Sequence, residues 1–266
     1  MPAYQYTPAL VPSFISALSQ QRLDTYMQHA RRTNAHATLE DALDLYIWNL
    51  QVSAAFQGPL HVLEVCLRNA MHVNLTIGFT NDWVDNGSFI HACIQAQYPP
   101  PQAGQKHNPP GPDLLRDIYK VRNRVARDLS NKNARAIRKG QPPGKMSPTV
   151  NDVVAGLDFG FWTTMLDSRF EQTLWRPVLH HAFPNYAKVT GTALDRRSVQ
   201  KRFNALRDLR NRVMHHEPLF GRVLIQDFAD IAEAISWMYD DIAQWVGHHS
   251  RLNLIQTTQA NRPETF

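Results

Sequence analysis

Apolar residues recur along the chain at the three- and four-residue steps of an amphipathic helix, and no stretch alternates long enough to form a strand. Phe14, Leu18, Leu23 and Met27 predict a first helix, entered through Pro12 and a cap at Ser13. Thr38, followed by Glu40 and Asp41, opens a second that carries Leu39, Leu43, Tyr46 and Leu50 on one face. Gly58-Pro59 is expected to break or kink it, because proline lacks the backbone donor and its ring clashes with the preceding turn. The pattern resumes at Leu60, Leu63, Leu67 and Met71.

Between 97 and 112 the composition changes to QYPPPQAGQKHNPPGP, a loop by any reading. Leu114, Ile118, Val121, Val125 and Leu129 then draw a narrow apolar stripe on a helix whose remaining surface is cationic. QPPGKMSP is a second loop, after which Thr149 caps a short helix and LDFGFWTTML adds an aromatic core element around Phe159, Phe161 and Trp162. Leu174 to Phe183 reads as a short helix stopped by Pro184, Ser198 to His216 as a long one ended by Glu217-Pro218, and Gln226 to Val246 as a last one. The fold class is therefore all-α, a multi-helix bundle with a basic helical insertion between two loops. Along the chain this gives amino-terminal helices over 1–96, the insertion over 97–148, carboxyl-terminal helices over 149–250 and a polar tail, expected to be disordered, over 251–266.

Composition narrows the functional classes. In 266 residues there are only two cysteines, Cys66 and Cys93, which form no disulfide framework or metal-site spacing and point to a reducing, cytoplasmic setting. The start MPAYQYTPALVPSF has neither the basic nor the apolar region of an export signal, and no run approaches the length of a membrane span. A net charge of +5 says little until it is divided. Ten cations against Asp117 and Asp128 make the segment 116–145 +8 and leave −3 for the rest. Arg116, Lys120, Arg122, Arg124, Arg127, Lys132, Arg135, Arg138 and Lys139 are its candidate phosphate contacts, and RNA the candidate partner. A solvated helix face would carry the same pattern.

A second basic run, from Asp195 to Arg212, leads into LRDLRNRVMHHEPLF. Asn204, Arg207, Asn211 and His215 follow at steps of three, four and four and share a helix face. Asn211 lies one turn before His215 and is placed to orient the imidazole. Arg210 stands about 140° around the helix from His215, so the two converge only through the long guanidinium arm, distortion of the helix end or a second subunit. A guanidinium and an imidazole beside a phosphodiester suffice for RNA cleavage without a metal or other cofactor: imidazole moves the proton and guanidinium stabilises charge growing on phosphorus. A histidine at a helix end is also a common cap, favourable at the negative end of the dipole.

The string Arg210-Asn211-Arg212-Val213-Met214-His215-His216 resembles the R-N-x-x-x-H form of the R-x(4–6)-H motif of HEPN ribonucleases. Together with LEVCLRNAM and LDFGFWTTML, in that order along residues 38–246, RNRVMHHEPLF is similar to the Abi-like abortive-infection proteins of bacteria. The resemblance implies an all-helical, usually dimeric protein that cleaves RNA in phage defence or in a toxin–antitoxin setting, with an antitoxin or defence partner. It implies Arg210 and His215 as the catalytic pair, Asn211 as support, and a site composed at a two-fold interface. Arg207 and His216 are further candidates for support. The chain departs from the family at Glu217-Pro218-Leu219-Phe220, where a basic residue and tryptophan are implied.

Glu64, Arg68 and His72 also share a face, with Asn69 adjacent, and LRNAMH repeats the motif one residue short. A Glu64–Arg68 pair that fixes helix packing is the simpler reading, catalytic support the sharper one. His180-His181 and His248-His249 lack a third ligand at useful spacing, and adjacent imidazoles on a helix diverge. Trp48, Trp83, Trp162 and Trp175 fall on apolar faces and read as core. Two further readings stand beside the nuclease: a non-catalytic RNA-binding or protein-interaction module with the same scaffold, and a DNA-binding regulator, which lacks a helix-turn-helix pattern.

Overall fold

Thr38 and Asp41 begin the longest helix by local chemistry alone. In the computed structural model, which describes residues 10–97 and 113–250, the Asp41 carboxylate accepts from the Thr38 backbone at 2.7 Å, and the Thr38 hydroxyl accepts from the Asp41 backbone at 3.4 Å. Helical structure dominates, and no strand occurs among the described residues. The expected loop at 97–112 and the tail at 251–266 lie outside the described residues, apart from Gln97.

The chain divides into two compact units, each assembled from separated segments. The first contains residues 1–60, 208–229 and 248–266. Its helices are α1 (Val11–Leu18), α2 (Gln20–Thr33), the first half of α3 (Leu39–Gly78), the end of α9 (Arg196–Met214) and the start of α10 (Leu224–Ser236). The single helix expected around Phe14 to Met27 is two. Ser19 interrupts it at φ 67°, and its hydroxyl accepts from the Arg22 backbone at 3.4 Å to start α2. Ser13 caps nothing, because Pro12 already occupies the first turn of α1. Leu23, Tyr26, Val52, Phe56, Leu209, Val213 and Leu219 are buried in this unit.

The second unit contains 61–207 and 230–247. It holds the rest of α3, α4 (Gly87–Gln97), α5 (Leu114–Arg138), α6 (Val150–Gly156), α7 (Phe159–Thr164), α8 (Tyr186–Thr190), most of α9, the end of α10 and most of α11 (Asp240–His249). An aromatic core binds these elements: Trp83 meets Phe89 at 4.8 Å and Trp162 at 6.3 Å, and Phe203 meets Phe183, Trp237 and Phe159 at 5.8, 6.2 and 6.5 Å. Asp113 caps α5, and Thr149 with Asp152 caps α6. The two helices pack closely enough that Gly156 is required. A Cβ there would sit 2.6 Å from Val121 Cγ1, and the Gly156 carbonyl accepts from Arg124 Nη2 at 2.9 Å.

Three further expectations change. Helix α3 runs through Pro59 without a break, with Phe56, Leu60 and Leu63 all buried, so packing on both sides outweighs the lost backbone bond. The segment expected as one helix over 174–183 is a π-helical turn at Glu171–Trp175 followed by a 3-10 turn at Leu179–Ala182. The last long helix is divided at Ser236. Asn185 donates from its side chain to the Ser236 carbonyl and from its backbone to the Trp237 carbonyl, so neither continues the helical ladder.

Candidate functional site

Helix α9 is amphipathic: Val199, Phe203, Leu206, Leu209 and Val213 are buried, which fixes its rotation and leaves Arg210 and Asn211 half-buried and His215 exposed. His215 still belongs to the last turn, since its N–H donates to the Asn211 carbonyl at 2.8 Å. The chain then turns in a Schellman motif. Glu217 N–H reaches back to the Arg212 carbonyl at 2.9 Å and His216 N–H to the Val213 carbonyl at 3.3 Å, with His216 left-handed at φ 57°. Glycine is the preferred residue there, and a side chain in that conformation costs about 1 kcal/mol.

Three side chains from three helices clamp the segment that follows. Arg22 of α2 donates from Nη1 to the His216 carbonyl at 2.9 Å. Arg212 of α9 donates to the Pro218 carbonyl at 3.1 Å and pairs with the Glu217 carboxylate at 3.7 Å. Asn49 of α3, only 2% exposed, accepts from Leu219 N–H at 2.7 Å and donates to the Glu217 carbonyl at 3.4 Å. Beneath these polar clamps Leu219 is fully buried, and Phe220 stacks on His29 at 3.9 Å and meets Tyr26 edge-on at 5.5 Å. The departure at Glu217-Pro218-Leu219-Phe220 thus lies in the clamped segment beside the motif.

An open cleft of about 300 Å³ results, lined by Arg22, Thr25, Tyr26, His215, His216 and Glu217 among others. Burial pushes the Tyr26 phenol up to about 12, against a smaller opposing effect of Arg22, so the ring faces the cleft as a neutral group. Arg22 and Asn49 escaped the sequence reading because their partners stand 194 and about 170 positions away. The one available signal was an asparagine among the apolar positions of α3.

The sequence candidates distribute as follows. His215 and His216 line the cleft; Arg210 is not among its lining residues and donates from Nη1 to Asn211 Oδ1 at 3.5 Å. The Asn211 side-chain amide accepts from the neighbouring Arg210 guanidinium, and among the described residues the only bond between Asn211 and His215 is the backbone one. Arg207, in the second unit, donates to the Thr163 hydroxyl at 3.0 Å. Also in the second unit, Arg68 Nε contacts Asn69 Oδ1 at 3.5 Å, Glu64 is half-buried, and His72 accepts from Trp83 Nε1 at 2.9 Å. Burial and the nearby Arg68 hold the His72 pKa below the ordinary imidazole value.

Along α5, Leu114 and Ile118 are buried, while Arg116, Lys120, Arg124, Arg127, Lys132, Arg135, Arg138 and Lys139 are exposed. Arg122 is committed to a bidentate pair with Asp85 at 2.6 and 2.7 Å, which leaves a dense cationic surface on the rest of the helix. The His180 and His181 rings do not diverge as an α-helix would make them. In their 3-10 turn they lie 3.8 Å apart, with His180 Nδ1 at 3.1 Å from the Trp175 carbonyl. No group of three or more His, Cys, Asp or Glu residues positioned to hold a metal ion occurs among the described residues. Trp48, Trp83, Trp162 and Trp175 are all buried. No helix among the described residues is long and apolar enough to cross a membrane.

Residues 13–221 match the family model described as Abi-like protein, a span that includes the whole of α2, the motif and the clamped segment. No curated protein and no solved structure matches the chain.

Proposed function

The chain belongs to the Abi-like protein family, and from that premise we propose that it is an endoribonuclease acting in abortive infection or as a toxin. The observation that carries this reading is the exposed His215, held at the end of helix α9 on a cleft that also contains a guanidinium. A neutral imidazole there takes the 2′-hydroxyl proton, and O2′ attacks phosphorus. Guanidinium stabilises the charge gathering on the non-bridging oxygens, and the P–O5′ bond breaks to leave a 2′,3′-cyclic phosphate and a 5′-hydroxyl. Base, acid and charge stabiliser are all ordinary side chains.

Arg210 is the motif guanidinium, supported by Asn211. Its position about 140° from His215 is the reason to place the complete site at a two-fold pair of chains, where the motif helix of a second copy supplies the missing direction. The exposed cations of α5 supply phosphate contacts, and RNA is the partner that suits both features.

The test is incubation of the purified full chain with end-labelled RNA and with the same strand carrying 2′-deoxyribose. Cleavage of the RNA alone, with cyclic phosphate ends, and its loss in His215→Ala and Arg210→Ala are expected, along with loss of any growth inhibition. A His215→Ala protein that folds and cleaves as well as the parent would overturn the reading. Binding without cleavage would place the chain among non-catalytic RNA-binding modules.

A further inference from the structure

We propose that His216 is a second reactive imidazole of this cleft, the general acid to the base His215, so that one chain carries both proton-transfer groups. The inference rests on the ribonuclease reading and adds to it a residue outside the Arg210–His215 pair.

Two observations support it. First, His215 and His216 line the same cleft, although they are consecutive in sequence. Consecutive residues on a helix point about 100° apart. Here the helix has ended, and the left-handed backbone of His216 redirects the second side chain. Second, away from this cleft the described helix ends of positive φ carry glycine, Gly140 after α5 at φ 68° and Gly191 after α8 at φ 69°. Among the described residues a side chain takes a positive φ at two helix ends, Ser19 after α1 at 67° and His216 after α9 at 57°, and both residues line the cleft, the second with an imidazole. Strain retained beside a cleft is where a functional demand opposes the backbone preference. Arg22 then holds the His216 carbonyl, which sets the turn and keeps a positive charge at the cleft.

The proton balance closes within the chain. His215 accepts the 2′-hydroxyl proton as the O2′–P bond forms. The P–O5′ bond breaks, and the His216 imidazolium donates its proton to O5′. The two rings exchange protonation states, and water restores them. The charged groups at the cleft are Arg22 from α2 and Glu217 from the turn itself, the latter paired with Arg212 of α9; Tyr26 stays neutral.

The experiment compares the full-length parent, His216→Gly, His216→Asn and His215→Ala on a fluorophore–quencher RNA of mixed sequence, with thermal melts of each. Glycine and asparagine both accept the left-handed backbone, so both variants are expected to melt at or above the parent temperature. Their kcat should nonetheless fall by about 100-fold or more, the usual effect of losing a positioned acid. The parent pH–rate profile should be bell-shaped, and the variants should lose its alkaline limb, where the acid deprotonates. Parental kcat with an intact bell in His216→Gly would overturn this inference while leaving the ribonuclease reading standing. Absence of cleavage by the parent itself would overturn both.

Discussion

Arg22 and His216, 194 residues apart in sequence, are joined by a hydrogen bond of 2.9 Å from a guanidinium to a backbone carbonyl. That bond ties α2 to the left-handed residue that ends the motif helix. Arg22→Ala removes it, together with the positive charge at the cleft. Stability is expected to fall by about 1 kcal/mol. RNA cleavage should fall further, through kcat and KM together, because both the turn and the phosphate-side charge are affected. Thermal melts beside steady-state kinetics separate the two effects.

Asn49 provides the buried half of the same clamp, with both ends of its amide used by the backbone of Glu217 and Leu219. Replacing it with Ala or Leu leaves a backbone N–H buried without a partner. A loss of about 2 kcal/mol is expected, read from the denaturant midpoint. Activity should fall with the folded fraction.

The proposed two-fold site predicts that activity depends on association. Specific activity should rise with the fraction of dimer as the protein is concentrated, measured by sizing chromatography coupled to a cleavage assay. An active species that is strictly monomeric would remove the two-fold site from the reading.

Salt provides a check on α5. Each phosphate neutralised by a cation releases counterions, so log binding constant should fall linearly with log salt. Replacing Arg127, Lys132, Arg135 and Arg138 with Gln should flatten that slope while leaving the fold intact, since all four side chains are exposed. An unchanged slope would exclude α5 as the RNA surface.

Alkaline pH tests the core. Burial pushes Tyr26 up to about 12, Cys66 to about 11 and Cys93 to about 12, each above its value in an unfolded chain. The folded state therefore holds these protons where the unfolded state has lost them. The associated stability is complete below about pH 8.5, where unfolded thiols begin to ionise, and declines as pH rises toward 12. Urea midpoints should fall across that window, and less steeply in Tyr26→Phe. The two thiols should resist iodoacetamide at pH 8 until the chain is unfolded.

What could be read in advance was local. Thr38–Asp41 and Thr149–Asp152 announce helix starts because a cap bonds residues three positions apart, and the stripe from Phe203 to Val213 announces which side of α9 is core. The motif residues were equally visible, as was the cationic run on α5. The interruption at Ser19, the division at Ser236 and the continuity through Pro59 were not, since each is decided by packing or by a distant donor such as Asn185. The cleft was hidden for the same reason. Its residues come from α2 and the end of α9, and its supports, Arg22 and Asn49, have no recognisable spacing from the histidines they serve.

The cleft of the first unit is lined by residues before position 27 and after position 214, which the ribosome makes far apart in time. Ser19, Arg22 and Tyr26 leave the ribosome first, and the wall that completes the cleft is translated almost two hundred codons after them. A product terminated before residue 215 therefore has Arg22 and Tyr26 but neither His215 nor His216. Under the ribonuclease proposal, the cleft with both of its imidazoles therefore exists only in products that extend past residue 216.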